Sequence, residues 1–236
     1  MQIIYIIYQY LVAWPLFIIN TAITAITTIL CARWPNSRFI NTVQSCWSKS
    51  FFYLMFLPVT VTGKENVKRG QSYVFVTNHQ SFCDVFLVYG WLPVVFKYMM
   101  KKELRKIPLV GWACEVCGHV YVDRSNPRAA AQSVKKMEQT LRNGVCTVIY
   151  PEGTRTTTGE VQRFKRGAFH IALDLHLPVV PLSITGCFEC MPKGKAYIKH
   201  HPVHLHIGEP MDLSGFEDEN EAIEAVREAV IKGMKE

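Results

Sequence analysis

Asn78-His79-Gln80-Ser81-Phe82-Cys83-Asp84 is the stretch on which the reading of this chain turns. Ahead of it runs Tyr73-Val74-Phe75-Val76-Thr77, short, β-branched and aromatic, with the composition of a buried strand. Behind it, Val85-Phe86-Leu87-Val88-Tyr89 starts a helix or another buried run. His79 thus sits where a strand ends and a turn begins. In α/β folds the carboxyl ends of strands face the ligand crevice. Asp84 lies five residues on, within reach if the turn folds back. Its carboxylate can accept the N–H of His79, fix the tautomer and leave the other ring nitrogen free as a base. The same residues also suit a histidine that closes a turn and an aspartate that caps a helix. With eight histidines in the chain, the spacing alone does not choose between them.

The flanking sequence supplies the context. Residues 59–62 alternate Val and Thr and read as a first strand. Residues 94–98 form another short strand, followed by the basic run Lys101-Lys102-Glu103-Leu104-Arg105-Lys106. Residues 108–116 are mostly apolar and either face a lipid pocket or pack inward. Residues 118–124 read as a strand ending in Asp123 and Arg124. Pro127 opens a helix through Leu141, a position where proline is tolerated. Residues 145–150 are a continuous apolar strand of the parallel-sheet type, ending in Pro151-Glu152-Gly153-Thr154-Arg155. A helix to about Leu175 follows, then a buried strand over residues 177–184. Residues 197–200 and 203–207 are predicted as two edge strands, and residues 219–235 as a closing amphipathic helix. Alternating strands and helices predict an α/β fold, a mostly parallel central sheet with helices on both faces. Three predicted strand ends carry polar groups: His79/Asp84, Asp123/Arg124 and Glu152/Arg155.

The first 32 residues carry no charged side chain, and Pro15 lies near the middle of the run. About 20 apolar residues suffice to span a bilayer. A single spanning or kinked helix fits, and so does a shallow helical hairpin continuing through residues 39–56. That second stretch sets Trp47, Phe51, Phe52, Tyr53 and Phe56 beside Arg38 and Lys49, the chemistry of a membrane interface. The domains are expected as a membrane-associated helical segment over residues 1–56 and an α/β domain over residues 57–236. Arg33, Arg38 and Lys49 follow the apolar run, which places the second domain on the cytoplasmic face of the cell membrane.

The net charge of +7, with only 19% charged residues, suggests an anionic surface or substrate. No nucleic-acid motif or long Lys/Arg run is present, and membrane phosphates fit better. Eight cysteines include the pairs Cys114/Cys117 and Cys187/Cys190, separated by more chain than a zinc ribbon uses. They read as reduced thiols, with no metal site. His170 and Asp174 are spaced as a solvated helical pair. His204 and His206 share one strand face; no carboxylate or cysteine pattern accompanies them, and a surface role is expected.

Four blocks in order resemble the glycerolipid acyltransferase family, and within it the 1-acylglycerol-3-phosphate acyltransferases. They are Asn78-His79 through Asp84, Gly118-His119-Val120-Tyr121-Val122-Asp123-Arg124, Glu152-Gly153-Thr154-Arg155, and Leu177-Pro178-Val179-Val180-Pro181. The resemblance implies acyl transfer at a membrane from a thioester of coenzyme A or acyl carrier protein, with no cofactor. Lysophosphatidic acid is the implied acceptor. His79 is then the general base and Asp84 its orienting partner, so neither Ser81 nor Cys83 need be a nucleophile. Glu152, Gly153, Thr154 and Arg155 resemble the acceptor-binding block, with Arg155 on the phosphate and Arg124 and Lys165 as further candidates. A salt bridge to a neighbouring carboxylate is the alternative for Arg124. Backbone N–H groups near Gly153 are candidate oxyanion donors. Pro181 and its strand are expected to shape the acyl pocket. Another acceptor, a non-catalytic lipid carrier and a thiol or zinc module are the competing readings.

Overall fold

The computed structural model describes residues 2–123, 125–141 and 145–235. Among these residues seven strands form one sheet in the order β1-β7-β6-β2-β5-β3-β4. They are β1 (Val59–Thr62), β2 (Val74–Thr77), β3 (Phe96–Lys101), β4 (Val120–Val122), β5 (Cys146–Ile149), β6 (Val179–Thr185) and β7 (Val203–Ile207). Pairing is parallel from β4 through β6, and β7 runs antiparallel to β6 while parallel to β1. The central β2 and β5 are buried at every position, which is why both read as unbroken apolar runs.

Side chains alternate between two helical layers. Phe75, Val148, Val180 and Leu182 enter one core with residues of α3 (Arg38–Leu54) and α4 (Cys83–Trp91). Val74, Val76, Ile149 and Val179 enter the other, with α6 (Pro127–Leu141), α7 (His170–Asp174) and α9 (Glu219–Gly233). Ser37 caps α3 by accepting the Ile40 N–H, and Asp218 caps α9 through Asn220.

The N-terminal run is a single helix over residues 2–30. It comprises α1 (Gln2–Tyr8), a π-helical turn (Gln9–Ala13) and α2 (Trp14–Leu30). The π turn lies just ahead of Pro15, whose ring would clash with the carbonyl four residues back in a regular helix. Its length and composition suffice to cross a bilayer. The helix nevertheless lies against the sheet domain. The Gln9 amide donates to the Ile198 carbonyl at 2.7 Å and accepts the Ile198 N–H at 2.9 Å. Tyr8 donates to the Leu54 carbonyl. With α3 it makes a helical hairpin.

Three predictions along the chain need correction. Residues 197–200 form no strand, because Gln9 takes both backbone groups of Ile198 that a ladder would need. The strand over residues 203–207 is not at an edge: β1 covers it on one side and β6 on the other. His170 faces Glu219, at 3.8 Å, instead of pairing with Asp174. His204 and His206 do share a face, and both rings meet the Thr62 hydroxyl, at 2.9 and 3.0 Å.

Candidate active site

The turn after β2 is built around one carboxylate oxygen. Asp84 Oδ2 lies 2.9 Å from His79 Nδ1 and accepts the N–H groups of Gln80 (2.6 Å) and Ser81 (2.8 Å). The Asp84 side chain is fully buried, whereas His79 is 19% exposed. The buried acid therefore faces the base, and the base keeps a partly exposed face. Asn78 holds this turn to the neighbouring strand, exchanging two hydrogen bonds with the backbone of Ile184. The turn leads directly into α4, with Asp84 in its first turn where a carboxylate is favoured.

Because β2 and β5 are adjacent and parallel, their carboxyl ends meet. Glu152 Oε1 accepts the His79 N–H at 2.6 Å, Oε2 accepts the Gln162 N–H at 3.1 Å, and the Thr156 N–H returns to the His79 carbonyl at 2.9 Å. The resemblance groups Glu152 with the acceptor ligands. Its buried carboxylate instead ties the third block to the first, with both oxygens occupied. Burial pushes its pKa up, and the two N–H donors pull partly back. The Gly153 N–H donates to the Tyr150 carbonyl at 3.0 Å, so it is not a free oxyanion donor. Gly153 itself adopts a φ of +78°, and a Cβ there would stand 2.7 Å from Lys165 Nζ. That close approach brings the Lys165 ammonium to the block. Thr154 is exposed and Arg155 half-buried; among the described residues neither Arg155 nor Lys165 has an ion-pair partner.

Tyr150 escapes the sequence reading. Its ring lies 4.2 Å from the His79 ring and stacks on Tyr98 beyond. Its hydroxyl is buried, close to that of Tyr98. The only signal was its place, one residue before Pro151. Pro181 and Asp123 have their contacts elsewhere. Pro181 is buried in β6 on the face shared with Val179, its ring against Gly208. Asp123 pairs with Lys102 at 2.6 Å, and Arg124 lies outside the described residues. The Ser81 hydroxyl is engaged by the Met191 carbonyl, and burial raises the Cys83 thiol far above its ordinary value. Neither suits a nucleophile. All eight cysteines are free thiols.

An open α/β sheet with an oriented histidine at its strand ends, and unpaired cations one strand over, defines an enzyme equipped for proton abstraction beside an anionic group. Comparison with known proteins makes the class specific. The family profile described as Acyltransferase matches residues 58–185, more than half of the chain, and the chain belongs to that family. It is similar to the 1-acyl-sn-glycerol-3-phosphate acyltransferase of Cocos nucifera, with 28% identity over 92% of this chain and 72% of that protein. The alpha enzyme of the same name from Homo sapiens is 36% identical over 55% of this chain and 46% of its own length. Among solved structures, the 1-acyl-sn-glycerophosphate acyltransferase PlsC from Thermotoga maritima superposes with a TM-score of 0.84. Its identity is 30%, over 99% of this chain and 94% of that one.

Proposed function

We propose that this chain transfers a fatty acyl group from an acyl thioester to the free hydroxyl of 1-acylglycerol-3-phosphate, giving phosphatidic acid. The contact between His79 and Asp84 carries the reading. With the Nδ1 proton directed to Asp84, Nε2 is a neutral base toward the crevice. It takes the acceptor's hydroxyl proton as the oxygen attacks the thioester carbonyl. When the tetrahedral intermediate collapses, the carbon–sulfur bond breaks. The departing thiolate recovers the proton from the imidazolium, and no acyl-enzyme forms. Arg155 and Lys165 supply the positive charge for the acceptor's phosphate.

The reaction takes place at a membrane surface, on the cytoplasmic face of the cell membrane. The outer side of the N-terminal helix exposes Ile3, Ile4, Ile7, Leu11, Leu16, Ile19 and Ile23, while Ala13, Phe17 and Ala25 face inward. A helix fastened to the domain along its length suits a hairpin lying in one leaflet better than one crossing the bilayer. The test is a detergent assay of the full chain with lysophosphatidic acid, other lysophospholipids and glycerol phosphate as acceptors. Each is paired with coenzyme A and acyl carrier protein thioesters, and products are read by mass spectrometry. Phosphatidic acid should dominate. Preferential acylation of an acceptor lacking a phosphomonoester would sink the reading.

A further inference from the structure

The 3₁₀ turn Lys102–Lys106 and α5 (Val110–Val116) follow β3 at the sheet end that carries His79. Within nine residues this segment exposes Leu104 (41%), Ile107 (43%), Leu109 (41%) and Trp112 (61%). A loop that served only to connect would not leave four large apolar side chains in water. Nor is the segment loosely held. Arg105 grips Glu115 with two hydrogen bonds, at 3.1 and 2.7 Å, and the Tyr121 hydroxyl donates to the Gly111 carbonyl at 2.8 Å. Gly111 sits so close to the Arg105 carbonyl that a Cβ would stand 2.1 Å from it. Leu109 turns the chain at a φ of +62°, a conformation that L side chains rarely adopt. The apolar display is therefore built into a fixed turn.

Two further observations say what covers it. Lys101, Lys102, Arg105 and Lys106 are exposed around the apolar group; Glu103, Asp123 and Glu115 pair with the first three, and among the described residues Lys106 has no ion-pair partner, a cation beside an apolar wedge. In addition α5 packs along α2, so the exposed face continues into Ile23, Ile26 and Leu30 of the N-terminal helix. We infer that residues 104–112 are a second bilayer contact: Leu104, Ile107, Leu109 and Trp112 enter an anionic leaflet while Lys106 meets lipid phosphates. This rests on the membrane reading above and adds to it. The N-terminal helix would attach the protein, and this wedge would tip the His79 end of the sheet toward the surface holding the acceptor.

The experiment uses the full chain on vesicles containing phosphatidylglycerol. Lipids brominated high in the acyl chain quench any tryptophan that reaches them. The emission difference between wild type and Trp112→Phe isolates Trp112, and it should be blue-shifted and quenched. Quenching of the shared emission with an unquenched Trp112 difference would overturn the second contact and leave the N-terminal attachment standing. If no tryptophan is quenched, the membrane reading falls and takes this inference with it. A Trp112 difference that ignores vesicles but shifts with an acidic carrier protein would overturn it in favour of protein docking. Independently, the double variant Ile107→Asp/Leu109→Asp should lose about tenfold in turnover on vesicle-borne acceptor, the effect of exposing roughly one side chain's worth of apolar surface. Its turnover in detergent micelles should match wild type. Unchanged turnover on vesicles would count against the wedge.

Discussion

At the scale of residues the site depends on where one proton sits. Asp84 accepts three donors on a single buried oxygen, and only one of them is a side chain. Asp84→Asn keeps the shape but can present an N–H toward the ring, which favours the tautomer whose base points away from the crevice. It should lower kcat by about 10²–10⁴-fold, and His79→Ala should abolish transfer with the fold intact. A folded His79→Ala protein that turns over normally would end the base mechanism. Arg155 offers a planar fork for two phosphate oxygens that Lys cannot copy. Arg155→Lys should weaken kcat/KM for lysophosphatidic acid by about 1–3 kcal/mol, and change use of a zwitterionic lysolipid much less. Equal losses for both acceptors would make Arg155 structural. The dyad is legible in the sequence because both residues belong to one turn. Glu152 and Tyr150 were not legible in their observed roles: each meets His79 only because two strands 73 residues apart in the chain become neighbours.

At the scale of elements, α3 carries more weight than a membrane segment would. Phe51, Phe52 and Met55 are completely buried, and Phe51 stacks on Phe86 of α4 with ring centroids 4.6 Å apart. Trp47 packs edge-on against the same Phe86. The aromatic, basic-flanked pattern of residues 39–56 is equally that of an interfacial helix and of a helix buried along one side, and composition cannot separate them. Exposed Phe39, Tyr53 and Phe56 keep the interfacial character on the other side. Phe51→Ala should cost about 3–5 kcal/mol of stability, read as a lowered denaturation midpoint in detergent, because the cavity opens inside a packed aromatic cluster. Removing residues 1–56 should therefore unfold the domain, whereas removing residues 1–33 spares α3 and tests membrane attachment more cleanly. A loss under 1 kcal/mol at Phe51 would show that α3 is an accessory. The strand over residues 203–207 was legible from alternation, but its place between β1 and β6 was not. Pairing partners are set by crossovers that leave no local pattern.

At the scale of the whole molecule, stability is tied to pH through a histidine that the second sequence block contains and the chemistry does not use. His119 is buried under the sheet end, where its Nδ1 accepts the Tyr98 N–H at 3.0 Å and its Nε2 lies 3.3 Å from the Tyr89 hydroxyl. Tyr98 stacks on its ring and buried Lys97 is its charged neighbour; the Cys117 thiol, which takes a hydrogen bond from Gln44, lies near Lys97. Burial, helped by the nearby Lys97 charge, pushes the His119 pKa down to about 3. In the unfolded chain the same imidazole titrates near 6.5. Above that pH it is neutral in both states and contributes no pH dependence. Below it the unfolded chain binds a proton that the folded chain refuses until about pH 3, so stability falls as the solution is acidified. The slope approaches about 1.4 kcal/mol per pH unit well below 6.5. Glu152 acts with the opposite sign: its raised pKa gives a contribution that is present at low pH and lost as pH rises through it. That works against the histidine only in the acid range. His119→Asn keeps an acceptor for the Tyr98 N–H and removes the titration. The variant should be less stable than wild type at pH 7.5 for reasons of packing, and the difference should narrow steadily at pH 6 and pH 5. Denaturant melts in detergent at the three pH values measure it. A wild-type-minus-variant difference that stays constant from pH 7.5 to 5 would mean that His119 takes its proton in the folded state, and that the cluster around Lys97 and Cys117 is open to water.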